Sequence, residues 1–95
     1  MEGFRYRIST SKEAEEHVLI YKKAGNKIAL ERIVRIIEEL KVHPEFGIGK
    51  PKKLKNNKGE FWSRRIDDKN RIIYQIDEVD SVVYILRAIG HYDDK

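Results

Sequence analysis

The chain has no cysteine, one tryptophan, one methionine and two prolines among its 95 residues. Without cysteine there is neither a disulfide framework nor a thiolate metal site, and a reducing compartment is permitted. No apolar run approaches the roughly 20 residues needed to cross a bilayer. The first residues, MEGFRYRIST, also lack the apolar stretch of a signal peptide. A cytoplasmic protein with no membrane partner is the expectation. His17, His43 and His91 have no recognisable metal spacing, so neither metal nor other cofactor is expected. Gly47-Ile48-Gly49-Lys50 lacks the Gly-Lys-Ser/Thr pattern and the preceding strand of a phosphate loop.

What the chain does have is charge, unevenly spread. Hydrophobic residues make up 40% and charged residues 38%, which fits a single domain over residues 1–95 with one modest core. Residues 50–71 read KPKKLKNNKGEFWSRRIDDKNR and hold nine basic and three acidic residues, while the remainder holds eleven and thirteen. The whole formal excess of +4 therefore comes from this segment. It also carries the only tryptophan, Trp62, beside Phe61. Cations displace condensed counterions from a polyphosphate, and aromatic faces can stack on bases. On composition alone a solvated surface run is the better reading, because most charge runs are only surface.

Residues 4–9 alternate, with Phe4, Tyr6 and Ile8 on one side, and read as a strand. Thr10-Ser11-Lys12-Glu13 has the spacing of a capping box with Thr10 as N-cap. It opens a helix to about Ala24, with Ala14, Val18 and Tyr21 inward and Leu19 and Ile20 widening the stripe. Gly25 suits the left-handed helix end and Asn26 the next N-cap. Leu30, Ile33, Val34, Ile37 and Leu40 follow helical spacing in the second helix, with Ile36 broadening the apolar face. That helix should stop near Lys41 or Val42, because Pro44 disfavours helical geometry at His43. Residues 44–59 show no period and read as a long loop. Residues 61–66, 71–77 and 82–89 read as strands joined by short turns. The fold class is α+β: an N-terminal strand, an antiparallel helical hairpin, then a three-stranded antiparallel meander, in two layers. Alternation puts Trp62, Arg64 and Ile66 with Ile72, Tyr74 and Ile76 against the helices. Arg65 and Arg71 share the other face, which the helices leave free.

One chemistry needs only such parts. RNA carries its own nucleophile, the 2′-hydroxyl. Arginines and lysines can neutralise the phosphorane, and an imidazole with a pKa near 6.5 can protonate the leaving 5′-oxygen. His17 reads as a helix-boundary residue and His43 as a helix-end residue. His91, after the last strand, reads equally as a turn residue or a functional imidazole. Ser63 lacks an evident base beside it and reads as a strand residue.

Gly49-Lys50-Pro51, Leu54-Lys55, Gly59, the block Phe61-Trp62-Ser63-Arg64-Arg65-Ile66, Arg71-Ile72-Ile73-Tyr74 and the near-terminal His91-Tyr92 together resemble the YoeB/Txe toxins of bacterial type II toxin–antitoxin modules, within the RelE superfamily. The resemblance implies a two-layer RelE-like fold and a metal-independent endoribonuclease that enters the 30S A site and cleaves mRNA there, blocking translation. It implies a cognate antitoxin as partner, operator DNA bound through the toxin–antitoxin complex, and leaves a homodimer open. Carried over by position, the catalytic residues are Arg65, Arg71, His91 as general acid and its neighbour Tyr92. Lys50, Lys53, Lys55, Lys58 and Arg64 are candidate RNA contacts. Lys52 stands where YoeB-like sequences usually carry the glutamate assigned as general base, so the base is open and Lys52 is itself a catalytic candidate. Two rival readings remain: a ParE-like, non-nuclease inhibitor of DNA gyrase, against which the FWSRRI block and His91 argue, and a catalytically degenerate RNA-binding homologue, which Lys52 favours.

Overall fold

The computed structural model describes residues 5–54 and 61–90. Its elements run β1 (Arg7–Thr10), α1 (Lys12–Lys23), α2 (Lys27–Leu40), β2 (Lys52–Leu54), β3 (Phe61–Arg65), β4 (Arg71–Asp77) and β5 (Val82–Arg87). The five strands form one mixed sheet in the order β1-β5-β4-β3-β2, and the helical hairpin covers one face. The meander β3-β4-β5 is antiparallel, as its short turns require, while β1 pairs parallel with β5. None of the described helices is long and apolar enough to cross a membrane.

The helix-facing core comprises Tyr6, Ala14, Tyr21, Ala29, Ile33, Ile36, Leu40, Ile66, Ile72, Tyr74, Val83, Ile85 and Ala88. Three local expectations are corrected by tertiary context. The first helix is capped by Ser11, whose Oγ accepts the Ala14 N–H at 3.0 Å, and not by Thr10. Thr10 is still in the sheet, opposite Ile85, so the helix begins one residue later and the capping box does not form. Leu19, Ile20 and Val34 are exposed, because α1 turns Ala14 and Tyr21 inward and α2 turns Ala29, Ile33, Ile36 and Leu40 inward. Within the stretch read as loop, Lys52–Leu54 adds a fourth antiparallel strand against β3. Three residues are too few to show a period. The strand is set from outside, by Gly49 and Lys50, both at positive φ (+82° and +51°).

Gly49 is fixed by close approach. Its carbonyl accepts the Arg65 N–H at 2.6 Å, and a Cβ there would stand 2.8 Å from the Arg65 carbonyl oxygen. Any side chain would push the turn off β3 and take β2 with it. The turn that leaves the same end of β3 is closed by Asp67, whose Oδ1 accepts from the Lys69 and Asn70 N–H groups at 2.8 Å each. Burial opposes its charge, but these donors and the Asn70 amide hold the Asp67 carboxyl below its usual range.

Candidate active site

Strand register decides which side chains share a face. Lys52 stands opposite Ser63, Ser63 opposite Ile73, and Arg65 opposite Arg71. All lie on the sheet face turned away from the helices, since Trp62, Arg64, Ile72 and Tyr74, their alternating neighbours, face the helical layer. Directly opposed residues have Cα atoms about 4.5–5.5 Å apart, and residues two apart on a strand are separated by about 7 Å. Lys52, Arg65 and Arg71 therefore form one compact cationic patch. The face is not bare: Leu54, Ser63 and Ile73 are buried on it. Arg71 reaches Ser63, its Nη1 donating to Oγ at 3.5 Å, a long contact.

Like charges directly opposed across two strands destabilise a sheet unless something compensates. Among the described residues no carboxylate lies within ion-pairing distance of Arg65, Arg71 or Lys52. A local rule broken without visible compensation is what a binding site for an anion looks like before the anion arrives.

The remaining candidates fall elsewhere. Lys50 is exposed beside the patch, on the turn that leads into β2. Lys53 is exposed but opposite Trp62, so it projects to the other side of the sheet from Lys52. Lys55, Lys58, His91 and Tyr92 lie outside the described residues. Arg64 is a correction: as a candidate RNA contact it fails, because it is wholly buried. Its Nη1 bonds Glu39 Oε1 at 2.6 Å, and its Nη2 donates to the His43 and Phe46 carbonyls at 2.8 Å each. Its Nε donates to Tyr74 Oη at 3.3 Å, and that hydroxyl donates to the Pro44 carbonyl at 2.7 Å. Arg64 thus fastens residues 43–48 to β3, and so supports the turn that delivers Lys50 and Lys52. Trp62 lies on the helix side, as strand alternation has it. It is half-buried against the core and stacks on Tyr74 with ring centroids 6.5 Å apart, so it packs on the helix side and not with the cations.

Glu39 closes this network by accepting both Arg64 and the Ile48 N–H, the latter at 2.9 Å. Burial opposes ionisation of Glu39, yet the Ile48 N–H and the Arg64 guanidinium hold its carboxyl below the usual 4.5. A carboxyl depressed in the folded state contributes stability above its unfolded pKa and loses it as pH falls through the folded value. Glu39→Gln is therefore expected to flatten the acid limb of a stability–pH curve below about pH 4.5. Denaturant titrations at stepped pH check this, and an unchanged acid limb counts against it.

The residues the sequence left unmarked govern the last described segment. Ala88 N–H donates to His17 Nδ1 at 3.0 Å, and Tyr21 Oη donates to the Ala88 carbonyl at 2.6 Å. Gly90 N–H donates to Asn70 Oδ1 at 2.9 Å, and the Gly90 carbonyl accepts the Arg71 N–H at 3.1 Å. Gly90 itself is at φ +89°, a conformation suited to glycine. Only the spacing of His17 and Tyr21, four apart on one helix, hinted at a shared target.

A helical hairpin on a five-stranded mixed sheet with such a cationic face is a RelE-type toxin fold. The YoeB dimer structure from Staphylococcus aureus has a TM-score of 0.80 with this chain at 29% identity, covering 93% of this chain and 99% of that one. The YoeB–YefM complex from the same organism has 0.76 at 31% identity, with the same coverage. Toxin RelK of Mycobacterium tuberculosis is 41% identical over 80 residues, 84% of this chain and 91% of that protein. Residues 10–92 match the YoeB-like toxin of bacterial type II toxin–antitoxin systems, and the chain belongs to that family.

Proposed function

We propose that this toxin is a ribosome-dependent mRNA endoribonuclease. The carrying observation is the patch of Lys52, Arg65 and Arg71 on one face, with its two arginines directly opposed. Such a patch suits a phosphate whose charge increases during reaction. The 2′-oxygen attacks the adjacent phosphorus and a P–O2′ bond forms. The P–O5′ bond breaks, leaving a 2′,3′-cyclic phosphate and a 5′-hydroxyl. Arg65 and Arg71 neutralise the phosphorane, and His91 delivers the proton that the departing 5′-oxygen takes up. Tyr92 is carried over with His91 from the family's His-Tyr motif. Lys50, Lys53, Lys55 and Lys58 hold RNA phosphates, giving binding that weakens as salt rises. As the S. aureus YoeB occurs with YefM and as a dimer, this chain takes a cognate antitoxin and pairs with a second copy.

Arg71→Ala should slow cleavage by about 10²- to 10³-fold, comparable with losing one anion-stabilising donor. Its melting temperature should stay near the parent's, since the Arg71 side chain makes only the long Ser63 contact among the described residues. Single-turnover cleavage alongside thermal denaturation checks this. A matching loss of stability would make Arg71 structural.

Lys52 cannot accept the 2′-hydroxyl proton while charged. It is exposed, where a cation can meet an RNA phosphate. Lys52 therefore acts as a fixed cation, and the proton leaves to solvent or to a ribosomal group. Lys52→Arg should keep most of the activity, because arginine preserves the charge and cannot serve as base. A fall to the level of Lys52→Ala across pH would assign Lys52 as the base.

A further inference from the structure

We infer that Tyr84 and Gln75 form a nucleobase subsite on the open sheet face, which takes an unpaired base of the mRNA strand beside the phosphate held by the cationic patch. The inference rests on the nuclease reading above and adds to it the recognition of a base.

The face that carries Lys52, Arg65 and Arg71 continues along β4. Ile72, Tyr74 and Ile76 pack with the helical layer, so Ile73, Gln75 and Asp77 share the open side with Arg71. On β5, Val83 and Ile85 pack inward, which turns Tyr84 outward. Register then sets Tyr84 directly opposite Gln75 of β4 and, on its other side, Ser9 of β1. Neighbouring strands lie about 4.8 Å apart, so the phenol ring stands between an amide and a hydroxyl.

The fold does not use these side chains. The hydroxyls of Tyr6, Tyr21 and Tyr74 donate to Glu78 Oε1, the Ala88 carbonyl and the Pro44 carbonyl. None of the bonds among the described residues engages the Tyr84 hydroxyl or the Gln75 amide. Tyr84 is 37% exposed, while the other three tyrosines are at most 8% exposed. An aromatic ring left open on a sheet, with free polar groups beside it, is how sheet-based RNA-binding domains offer a stacking platform.

Charge divides this face. Gln75 lies about 13 Å along β4 from Arg71, with Ile73 buried between them. Beyond Gln75 the chain turns acidic, at Asp77, Glu78 and Asp80. Phosphates are drawn to the cationic end and repelled from the other, and an uncharged base suits the ground between. A hollow of about 310 Å³ opens there, lined by Gln75, Ile76, Asp77, Glu78 and Tyr84. The 13 Å offset gives it a base from a nucleotide flanking the scissile phosphate. Its carboxylates are already engaged: Asp77 Oδ1 accepts the Asp80 N–H at 3.0 Å, and Glu78 Oε1 accepts the Tyr6 hydroxyl at 2.8 Å. Gln75 is therefore the group that reads the base edge. Its amide donates and accepts side by side, which matches the ring-nitrogen acceptor and amino donor of adenine in a bidentate pair.

The test is single-turnover cleavage of ribosome-bound mRNAs in which each nucleotide flanking the mapped cut is, in turn, one of the four bases or abasic. At one flanking position the parent should cleave the adenine substrate about 5- to 100-fold faster than the abasic one. Tyr84→Leu keeps apolar bulk and loses the stacking face. It should slow the adenine substrate by about 5- to 100-fold, leave the abasic rate at the parent's, and melt near the parent's temperature. Tyr84→Phe should keep the parental rates, because the ring remains. Gln75→Glu should move the preference from adenine to guanine, since a carboxylate accepts from guanine N1–H and N2–H and offers no donor to adenine. That variant also serves if Tyr84→Leu does not fold. Equal slowing of adenine and abasic substrates by Tyr84→Leu, or an unmoved preference with Gln75→Glu, would overturn the subsite and leave the nuclease reading standing. A parent that leaves ribosome-bound mRNA intact would remove the nuclease reading, and the subsite with it.

Discussion

Replacing His91 by glutamine is expected to slow cleavage of ribosome-bound mRNA by about 10²- to 10⁴-fold, the range that general-acid catalysis supplies. Ribosome binding should be unchanged, since the lysines that hold phosphate are untouched. The expectation rests on His91 standing at the general-acid position of the family. His91 follows Gly90, whose carbonyl is held by the Arg71 N–H and whose N–H is held by Asn70. An imidazole titrates near pH 6.5, so it can carry a transferable proton at neutral pH. Glutamine keeps a hydrogen-bonding head and loses the titration. The parent's cleavage rate should therefore fall as pH rises through the imidazole range, and the His91→Gln rate should not follow that fall. A variant that cleaves like the parent would place the acid elsewhere.

The second large effect is on stability. Arg64→Ala should cost about 3–5 kcal/mol, the usual price of removing one partner from a buried ion pair. Against a total of about 5–15 kcal/mol for a domain, this removes about a fifth of the stability or more. At about 4–8 °C per kcal/mol for a small domain, the melting temperature should fall by at least about 12 °C. The cause is specific. Removing the guanidinium leaves the Glu39 carboxylate with the Ile48 N–H alone and takes a donor from the Tyr74 hydroxyl and from the carbonyls of His43 and Phe46. Arg64→Lys should recover little, because an ammonium cannot span the same fork of acceptors. Calorimetry on both variants checks the expectation. A loss of RNA binding at unchanged stability would return Arg64 to the RNA-contacting set.

Arg64 also shows how far the sequence could be read. Strand alternation correctly places it with Trp62 on the helix side, yet its charge suggests RNA. Its acid partner is 25 residues away, and its other acceptors are mostly backbone carbonyls, which have no sequence signature. That Arg65 and Arg71 share a face was legible from strand alternation, and the register then sets them directly opposite. β2 was not: its place depends on Gly49 approaching the Arg65 backbone, a contact between two distant stretches. The same holds for the α1 cap, where Thr10 and Ser11 are equivalent locally and the sheet claims Thr10. The parallel pairing of β1 with β5 has no local signal either, since it joins opposite ends of the chain.

Primer extension on mRNA incubated with the purified toxin, with and without programmed ribosomes, separates a ribosome-dependent nuclease from its rivals. Cuts should fall in phase with codons, require ribosomes, leave 5′-hydroxyl ends, and nearly disappear with Arg71→Ala. Intact mRNA under conditions where the same preparation arrests growth, together with inhibition of gyrase supercoiling, would contradict the nuclease reading.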